Sequence, residues 1–252
     1  MNILVAFKVV LDDQDIQANA DGTLDCSKAR PVISDYDLNA IEAAVSLATA
    51  QEDAKVTAIT VGASWIDESK MKKNVLSRGV DELLMLADDA CDGLDAHGTA
   101  QMLAALAGKV GDWAVVLCGD GSADNYDQQV DVQLACELGV PVVTAASSLS
   151  IDGGVLKAER VLEDVVQVVT VPTPCVVSVT PDAATPRIPG MKDILAAGKK
   201  PMEVVGAPAP FDRVVIDEEC KVPERVARKL DVRSASDEGA LESFAAALKA
   251  AL

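Results

Sequence analysis

Histidine, aromatic side chains and basic residues are all scarce in this chain of 252 residues. Aromatic residues make up 3% of the sequence while half of it is apolar. Valine, alanine and leucine must therefore build the core, as is usual for parallel sheets covered by helices. The single histidine, His97, has no partner arrangement of Cys, Ser or Asp around it, so we expect it to lie at a helix start and not in a catalytic site.

Basic residues number 22 against 40 acidic ones, which gives a formal charge of −18. Such a charge argues against nucleic acid or an anionic membrane as partner. The negative charge either serves solubility alone or matches a partner protein with a cationic surface. No apolar run reaches the ~18 residues of a membrane span, so we expect no integral membrane protein.

The six cysteines are scattered and form no C-x-x-C pair. This spacing makes a zinc site improbable and favours reduced thiols and a cytoplasmic location. The opening MNILVAFKVVLDD lacks a basic leader and a cleavage site, and we interpret it as a strand, not a signal peptide.

Strand and helix patterns alternate through the first 150 residues. We predict strands at 2–10, 54–61, 82–86 and 113–118, and helices at 37–49, 67–76, 99–110 and 125–138. The length suits one α/β domain with excursions. The alternation predicts a doubly wound, mostly parallel, Rossmann-like sheet of adenine-nucleotide-binding type, with ligands at the carboxyl ends of its strands.

The pattern changes after residue 140. Three β-rich segments, 142–149, 155–162 and 165–171, predict antiparallel hairpins added to the main sheet. Residues 202–235 contain Pro208, Pro210 and Pro223 without a clear period and suggest an extended arm. Ser236 is a candidate cap for a final helix with an apolar stripe. We therefore divide the chain into a domain, 1–205, and an arm, 206–252, that packs on a partner or folds back on its own domain.

The most suggestive local site is LCGDGSADNYDQQV, residues 117–130. It follows a predicted strand and opens a predicted helix. Glycines let the backbone approach a ligand closely, and the free N–H groups of a helix N-terminus attract a phosphate. The segment has neither the Gly-Lys-Ser/Thr of a Walker A loop nor the third glycine of the Rossmann fingerprint. From its residues alone it fits a phosphate loop or an ordinary polar turn.

A second constellation, PRIPGMK, spans residues 186–192. Two prolines on either side of Arg187 and Ile188 preset a rigid exposed turn. Met191 then either suits a docking surface, because its thioether is flexible, or forms with Ile194 the apolar face of the following helix.

Residues 159–201, ERVLEDVVQVVTVPTPCVVSVTPDAATPRIPGMKDILAAGKKP, closely resemble the signature region of the beta subunit of electron-transfer flavoproteins. The resemblance covers about residues 1–205 and is closest to the Fix type, the subgroup associated with carnitine and acyl-CoA metabolism. It implies an electron carrier and not an enzyme. Its partners would be an electron-transfer flavoprotein alpha subunit and an acyl-CoA dehydrogenase-like flavoprotein.

The resemblance also implies cofactors and the residues that contact them. The main FAD would lie largely in the alpha subunit, and the beta chain would hold AMP or, in electron-bifurcating members, a second FAD. The implied nucleotide contacts are Ala6, Ser34, Asp35, Tyr36, Asp37, Val61, Gly119, Asp120, Gly121, Ser122, Ala123, Asp124, Asn125, Tyr126, Asp127, Gln128, Gln129 and Val130. The implied partner-docking residues are Arg187, Ile188, Pro189 and Met191, with Met191 at the apolar anchor position.

Two departures from the family pattern concern the nucleotide loop. Asp120 replaces the common Lys or Arg, and Asp131 stands where a Gly is usual. With Asp124 and Asp127 they put four carboxylates around the implied phosphate site, where like charge is unfavourable.

Two other classes share a similar α/β core. A universal-stress-type regulatory module would bind a nucleotide but has no use for residues 186–201 or a long arm. An adenylating enzyme needs Ser-Gly-Gly-x-Asp-Ser after the first strand, whereas this chain has Lys8-Val9-Val10-Leu11.

Overall fold

A seven-stranded parallel sheet forms the centre of the molecule. The structure is a computed structural model that describes residues 1–208, 214–215, 220–223, 230, 232 and 234–251. Its strands are β1 (Asn2–Ala6), β2 (Val9–Leu11), β3 (Gln17–Ala18), β4 (Leu24–Asp25), β5 (Pro31–Ile33), β6 (Lys55–Gly62), β7 (Glu82–Ala87), β8 (Val115–Gly119), β9 (Val142–Ala146), β10 (Ser148–Asp152), β11 (Val155–Val161), β12 (Val166–Pro172), β13 (Cys175–Val179) and β14 (Met202–Val205). Its helices are α1 (Asp35–Thr49), α2 (Ser69–Leu76), α3 (Ala96–Val110), α4 (Val130–Leu138), α5 (Met191–Ala197) and α6 (Ala240–Ala251).

The strand order of the main sheet is β14-β7-β6-β1-β8-β13-β9, and every pairing is parallel. The chain builds outward from β1 through β6 to β7, then returns to the other side of β1 with β8. A topological switch point therefore lies between the carboxyl ends of β1 and β8, which is where open sheets of this kind bind ligands. The predicted doubly wound, Rossmann-like sheet is confirmed.

Two apolar layers cover the faces of this sheet. Side chains alternate across a strand, so Ile3 and Val5 of β1 join one layer while Leu4 and Ala6 join the other. The first layer is completed by buried residues of α1 and α2, and the second by those of α3 and α4. The core is aliphatic, as the low aromatic content indicates.

The predicted antiparallel hairpins exist but form a sheet of their own, in the order β10-β11-β12. Ile151, Leu156 and Ala158 are buried in the first apolar layer, so this sheet covers a face of the domain instead of lengthening the main sheet. The first of the three β-rich segments divides at residue 147. Its part β9 joins the main sheet as a parallel edge strand beside β13.

The other edge of the main sheet was missed in the sequence. Residues 202–205, which we assigned to an extended arm, form β14 and pair parallel with β7. Four residues carry too little alternation to reveal a strand whose partner lies more than a hundred positions earlier.

Described parts of the arm contact the chain's own domain. Ala207 donates its N–H to Asp88 (3.0 Å), and Val214 and Val215 donate theirs to one oxygen of Asp95 (2.7 and 2.9 Å). Lys221 forms a β-bridge with Thr23. The rest of the predicted arm at 209–213, 216–219, 224–229, 231, 233 and 252, including Pro210, lies outside the described residues.

The final helix begins at Ala240, not at a cap on Ser236. Its apolar stripe at Leu241, Phe244 and Leu248 is exposed. Within the described ranges, no helix has the length and apolarity needed to cross a membrane.

Candidate functional site

The candidate site lies at the switch point, where the segments after β1 and β8 meet the start of α1. The chain leaving β1 is held in place because Phe7 donates its N–H to the Ile59 carbonyl (3.0 Å). The Phe7 carbonyl in turn accepts from the buried Thr60 hydroxyl (2.6 Å). Lys8 is thereby directed to the edge of the sheet that faces the loop after β8.

Asp37 joins the three segments. Its carboxylate is buried in the first turn of α1 and accepts the N–H of Lys8 (2.7 Å) and the N–H of Gly119 (3.0 Å). Burial raises the pKa of Asp37 to about 7, although both backbone hydrogen bonds act in the opposite direction. This one side chain therefore fixes the ends of β1 and β8 against a helix N-terminus.

Both glycines of the loop are required by close packing. A Cβ on Gly119 would lie 2.8 Å from Cβ of Tyr36 and 2.9 Å from Oδ1 of Asp37. A Cβ on Gly121 would lie 2.2 Å from the ring of Tyr126. That ring packs against the ring of Tyr36, with 5.1 Å between centroids. Glycine at these two positions thus allows the loop to lie against the start of α1. The spacing of the glycines in the sequence did not by itself predict this close packing.

The middle of the loop is tied to Lys8 and Ser34. The Lys8 ammonium contacts the Asp124 carboxylate at 2.6 Å, and the Ser122 hydroxyl donates to the same carboxylate (2.6 Å). Ser34 is at the N-cap position of α1 but makes no side-chain cap hydrogen bond. Its hydroxyl instead accepts the N–H of Ala123 (3.2 Å). Ser34 therefore supports the loop instead of capping α1.

The helix after the loop begins at Val130, not at residue 125 as predicted. Tyr126 and Gln128 have φ angles of 51° and 55°, in the left-handed region that a right-handed helix cannot contain. Residues 125–129 include Asn, Tyr and Asp, which favour helix only weakly, and Asp124 and Ser122 accept the N–H groups of Asn125 and Tyr126. The free N–H groups at the start of α4 therefore lie five residues further along the chain than predicted.

The four aspartates of the loop have different surroundings. Asp124 is paired with Lys8, and Asp127 is exposed. Asp131 is buried, accepts the Ser178 hydroxyl (2.5 Å) and accepts the N–H of Val132 (2.8 Å). Asp120 is 9% exposed, and burial raises its pKa. One of the four carboxylates, Asp124, thus has a cation beside it, and Asp131 has hydrogen-bond donors on both oxygens.

The structure gathers Ser34, Tyr36 and Asp37 with the loop 119–126. Of the other predicted contacts, Asp35, Gln128 and Gln129 are exposed near helix starts, at α1 and α4. Ala6 ends β1 and Val61 is the last residue but one of β6, at the same sheet edge, but their side chains belong to the apolar layer under α3 and α4. No cluster of three or more metal-ligating side chains occurs in the part of the chain that the structure describes.

Sequence reasoning missed three residues that shape the site: Lys8, Thr60 and Ser178. Lys8 carries a signal, since it is a lone cation directly after a buried strand. Thr60 and Ser178 lie inside apolar strands and become relevant only because their strands end beside β1 and β8. Their positions could not be inferred before the strand order was known.

The segment 186–191 is a separate exposed surface. Arg187 binds Glu42 of α1 through Nε (2.7 Å), Nη2 (2.8 Å) and its backbone N–H (3.1 Å). Arg78 donates to the Arg187 carbonyl (2.9 Å). The predicted docking residue Arg187 is therefore used within the protein to fix the segment.

The neighbouring apolar side chains are not packed inward. Ile188 is 94% exposed and Met191 is 74% exposed, and Ile194 and Leu195 of α5 are exposed as well. Only Ala197 of α5 is buried. Met191 and Ile194 are three residues apart on α5 and share an apolar face, but this face is exposed and is not packed on the chain's own domain. We call the exposed apolar surface defined by Ile188, Met191, Ile194 and Leu195 the 188–195 patch.

Comparison with protein families gives a match to the electron transfer flavoprotein domain over residues 22–210. The matched range contains the loop after β8, the start of α1 and the 188–195 patch. The match to this domain does not favour the universal-stress-type or adenylating alternatives. Because the match spans most of the chain, this protein belongs to the electron transfer flavoprotein family.

Proposed function

We propose that the chain is the beta subunit of a heterodimeric electron-transfer flavoprotein of the Fix type. It passes electrons between an acyl-CoA dehydrogenase-like partner and other redox proteins and does not itself transform a substrate. The alpha subunit holds the main FAD. The beta chain supplies the switch-point site for AMP or a second FAD, and the 188–195 patch for docking.

The observation that carries the nucleotide part is the loop 119–130 at the switch point. Asp37 and Ser34 hold its backbone against α1, and glycines let it pass close to Tyr36 and Tyr126. The loop leads to the N-terminus of α4, whose free N–H groups attract phosphate. Gly119 to Val130 would hold the phosphate and ribose of the nucleotide. A bound flavin supplies one- and two-electron chemistry, and the protein supplies binding and orientation.

The decisive experiment identifies the bound nucleotides. The chain is co-expressed with its candidate alpha subunit, the complex is purified and denatured, and the released nucleotides are separated and quantified by absorbance. One FAD with one AMP supports a simple carrier, and two FAD per heterodimer support a bifurcating one. Release of one FAD and no other nucleotide would mean that the loop does not bind a nucleotide. If neither a complex nor flavin is found, the proposal is refuted.

The docking part depends on the exposure of the 188–195 patch. An apolar side chain exposed to the degree of Ile188 costs free energy in water and is typical of an interaction site when its neighbours are also apolar. Met191→Glu should abolish electron transfer from an acyl-CoA dehydrogenase while heterodimer and flavin content stay unchanged. Val161→Glu is the matched control, because Val161 is 68% exposed on the separate β10-β11-β12 sheet. Equal loss in both variants would contradict docking through this patch.

A further inference from the structure

The strand β12 is an exposed edge of the small antiparallel sheet. The order of that sheet is β10-β11-β12, so β12 pairs with a strand on one side only. Its seven residues, VQVVTVP, carry no charge. Val166 and Val168 are 59% and 54% exposed, and Val161 and Val165 at the same end of the hairpin are 68% and 58% exposed. The edge therefore combines free backbone with exposed apolar side chains.

Hydrogen bonds at the two ends of the β11-β12 hairpin show which backbone groups of β12 point outward. Leu162 donates its N–H to the Val165 carbonyl (2.9 Å), and Thr173 donates its N–H to the Gly154 carbonyl (3.0 Å). Bonded and non-bonded pairs alternate along an antiparallel ladder, so the odd-numbered residues of β12 make the bonds to β11. The N–H and C=O groups of three residues therefore point away from the sheet: Val166, Val168 and Thr170.

This edge lacks the features that usually protect an exposed strand from pairing. Such features are charged side chains, proline and β-bulges. In β12 the one proline, Pro172, is the last residue, and the register with β11 is continuous. Among the described residues, none outside the sheet forms a hydrogen bond with the outward backbone of β12. A strand with these properties is a template for the addition of a further strand.

The uncharged composition of β12 indicates which strand fits it. A charged partner strand would find no opposite charge on β12, whereas a second copy of β12 is uncharged as well. An antiparallel pair centred on Val168 is self-complementary. Val168 then lies beside Val168 of the second copy, and Val166 lies beside Thr170 of the second copy, so that the outward backbone groups of both strands are hydrogen-bonded.

Electrostatic repulsion does not oppose this contact at short range. The nearest acid on the same face is Glu159 of β11, which lies opposite Val168 in the register. Both copies of β12 would separate Glu159 from its equivalent, a distance of roughly 14 Å at the usual strand spacing. That distance exceeds the Debye length of about 8 Å at physiological salt. The formal charge of −18 per chain therefore acts as a long-range repulsion that salt screens.

We propose that β12 is a self-recognition surface through which two copies of this chain form a symmetric dimer. The dimer joins their two three-stranded sheets edge to edge, as a two-fold axis through the Val168 pair requires. Only one strand of each copy contributes, so the association belongs with weak or transient interfaces. The inference rests on this sheet alone and goes beyond the proposed function, which uses the switch point and the 188–195 patch.

Sedimentation velocity of the full chain over a series of protein and salt concentrations tests the proposal. The chain should pass from monomer to dimer as its concentration rises, and added salt should strengthen the dimer. Val168→Glu should weaken it at least about tenfold, because two like charges meet at the two-fold axis. Val155→Glu is the matched control, since Val155 is 45% exposed but lies on β11, opposite Pro172 and away from the edge. Thermal unfolding checks that both variants are folded.

Cysteine cross-linking tests the register and decides the matter where Val168→Glu does not fold. The background carries Cys136→Ser and Cys220→Ser, which remove exposed thiols. Bonded neighbours in antiparallel strands have Cα atoms about 5.5 Å apart, within disulfide range. Val168→Cys should therefore give a covalent dimer under mild oxidation. Thr170→Cys alone should not, because its equivalents are roughly 14 Å apart, but it should cross-link when mixed with Val166→Cys.

Three results would overturn the inference. The first is a chain that stays monomeric at every protein and salt concentration. The second is equal weakening by Val155→Glu and Val168→Glu, or cross-linking of Thr170→Cys as readily as of Val168→Cys. The third is a Val168→Glu chain that self-associates like the wild type but assembles poorly with the alpha subunit. In that case the alpha subunit covers β12, and the proposed function stands without the dimer.

Discussion

At the scale of single residues, the site depends on carboxylates that lie at the same loop but have different surroundings. Asp37 is buried against two backbone N–H groups, while Asp124 is paired with an ammonium. Burial raises the pKa of the first, and hydrogen bonds from Lys8 and Ser122 help to lower the pKa of the second. The contribution of Asp37 to folding stability is therefore lost as pH rises, whereas that of Asp124 is lost as pH falls.

Asp37 should make folding stability fall as pH rises. Its folded pKa of about 7 lies above the ordinary value of 3.8, so between these values the folded state holds a proton that the unfolded state has lost. Its contribution is fully present below the unfolded pKa and is lost as pH rises through 7. Between pH 5 and pH 7 the wild type should lose roughly 2–3 kcal/mol relative to Asp37→Asn, which cannot titrate.

Urea unfolding of both proteins between pH 5 and pH 8.5 measures that difference. Subtracting the Asp37→Asn curve removes the contributions of other titrating groups, and above about pH 8 the difference should level off. A difference that is constant over the whole range would mean that Asp37 is ionised in the folded state throughout.

Gly119 should not tolerate a methyl group. Gly119→Ala brings a Cβ to 2.8–2.9 Å from the backbone and side chains at the start of α1, so the loop or α1 must shift, at a cost of about 1–3 kcal/mol. Gly108→Ala is the control, since Gly108 is in α3 with nothing within 4 Å. It should stabilise by about 0.5–1 kcal/mol through helix propensity. Thermal unfolding distinguishes the two, and similar effects would contradict the packing argument.

At the scale of elements, the helix α1 supports two surfaces. Its first turn holds the loop after β8 through Asp37, and its second turn holds the segment before α5 through Glu42. The Arg187 guanidinium beside Glu42 holds the pKa of that carboxyl below its usual range. The pair therefore persists at neutral pH and is lost only as pH falls through that lowered pKa.

Glu42→Gln should loosen the segment that carries the 188–195 patch. The variant removes the charge that Arg187 binds, so the Arg187 N–H should exchange with solvent several times faster, and the proposed docking of an acyl-CoA dehydrogenase should weaken. Global stability should change by no more than about 1 kcal/mol, as for other partly exposed ion pairs. Hydrogen exchange and steady-state kinetics measure the two effects.

Glu52→Gln provides the comparison, because Glu52 is an exposed acid just beyond the end of α1. It should change neither amide exchange at 186–191 nor docking. Unchanged exchange in Glu42→Gln would show that the prolines alone fix the segment.

At the scale of the whole molecule, the isolated chain leaves apolar surface exposed at its C-terminal end. Leu241, Phe244 and Leu248 of α6 are 64%, 66% and 50% exposed. Because they share one helix face, they suit a partner subunit better than water. The contacts of the arm with Asp88 and Asp95 show that its start is attached to its own domain.

Phe244→Glu should therefore weaken the proposed heterodimer at least tenfold while the isolated chain unfolds at the same temperature. Truncating a buried aromatic anchor at an interface typically costs 2 kcal/mol or more. Ala246→Glu adds the same charge to the opposite side of α6 and should have little effect. Analytical ultracentrifugation of mixtures with the alpha subunit measures both. A Phe244→Glu chain that assembles like the wild type would exclude this helix face from the interface.

Much of the fold could be predicted from the sequence, because the β-α-β alternation is carried by long apolar strands and by helices of regular period. Prediction was poorest where local pattern is short or misleading. β14 has four residues, and residues 125–129 were joined to the helical pattern of 130–138 although they adopt left-handed backbone at Tyr126 and Gln128.

The sequence by itself determined the α/β class, the aliphatic core, the glycines of the loop after β8 and the exposed turn around Arg187, since each depends on residue type and near neighbours. Only the tertiary structure decided that Lys8, Ser34 and Asp37 meet that loop and that Glu42 binds Arg187. It also decided that Asp131 accepts a hydrogen bond from Ser178 and that Oδ1 of Asp120 has no hydrogen-bond partner among the described residues. These contacts join residues far apart in the chain, and they arise from the strand order, which no local pattern specifies.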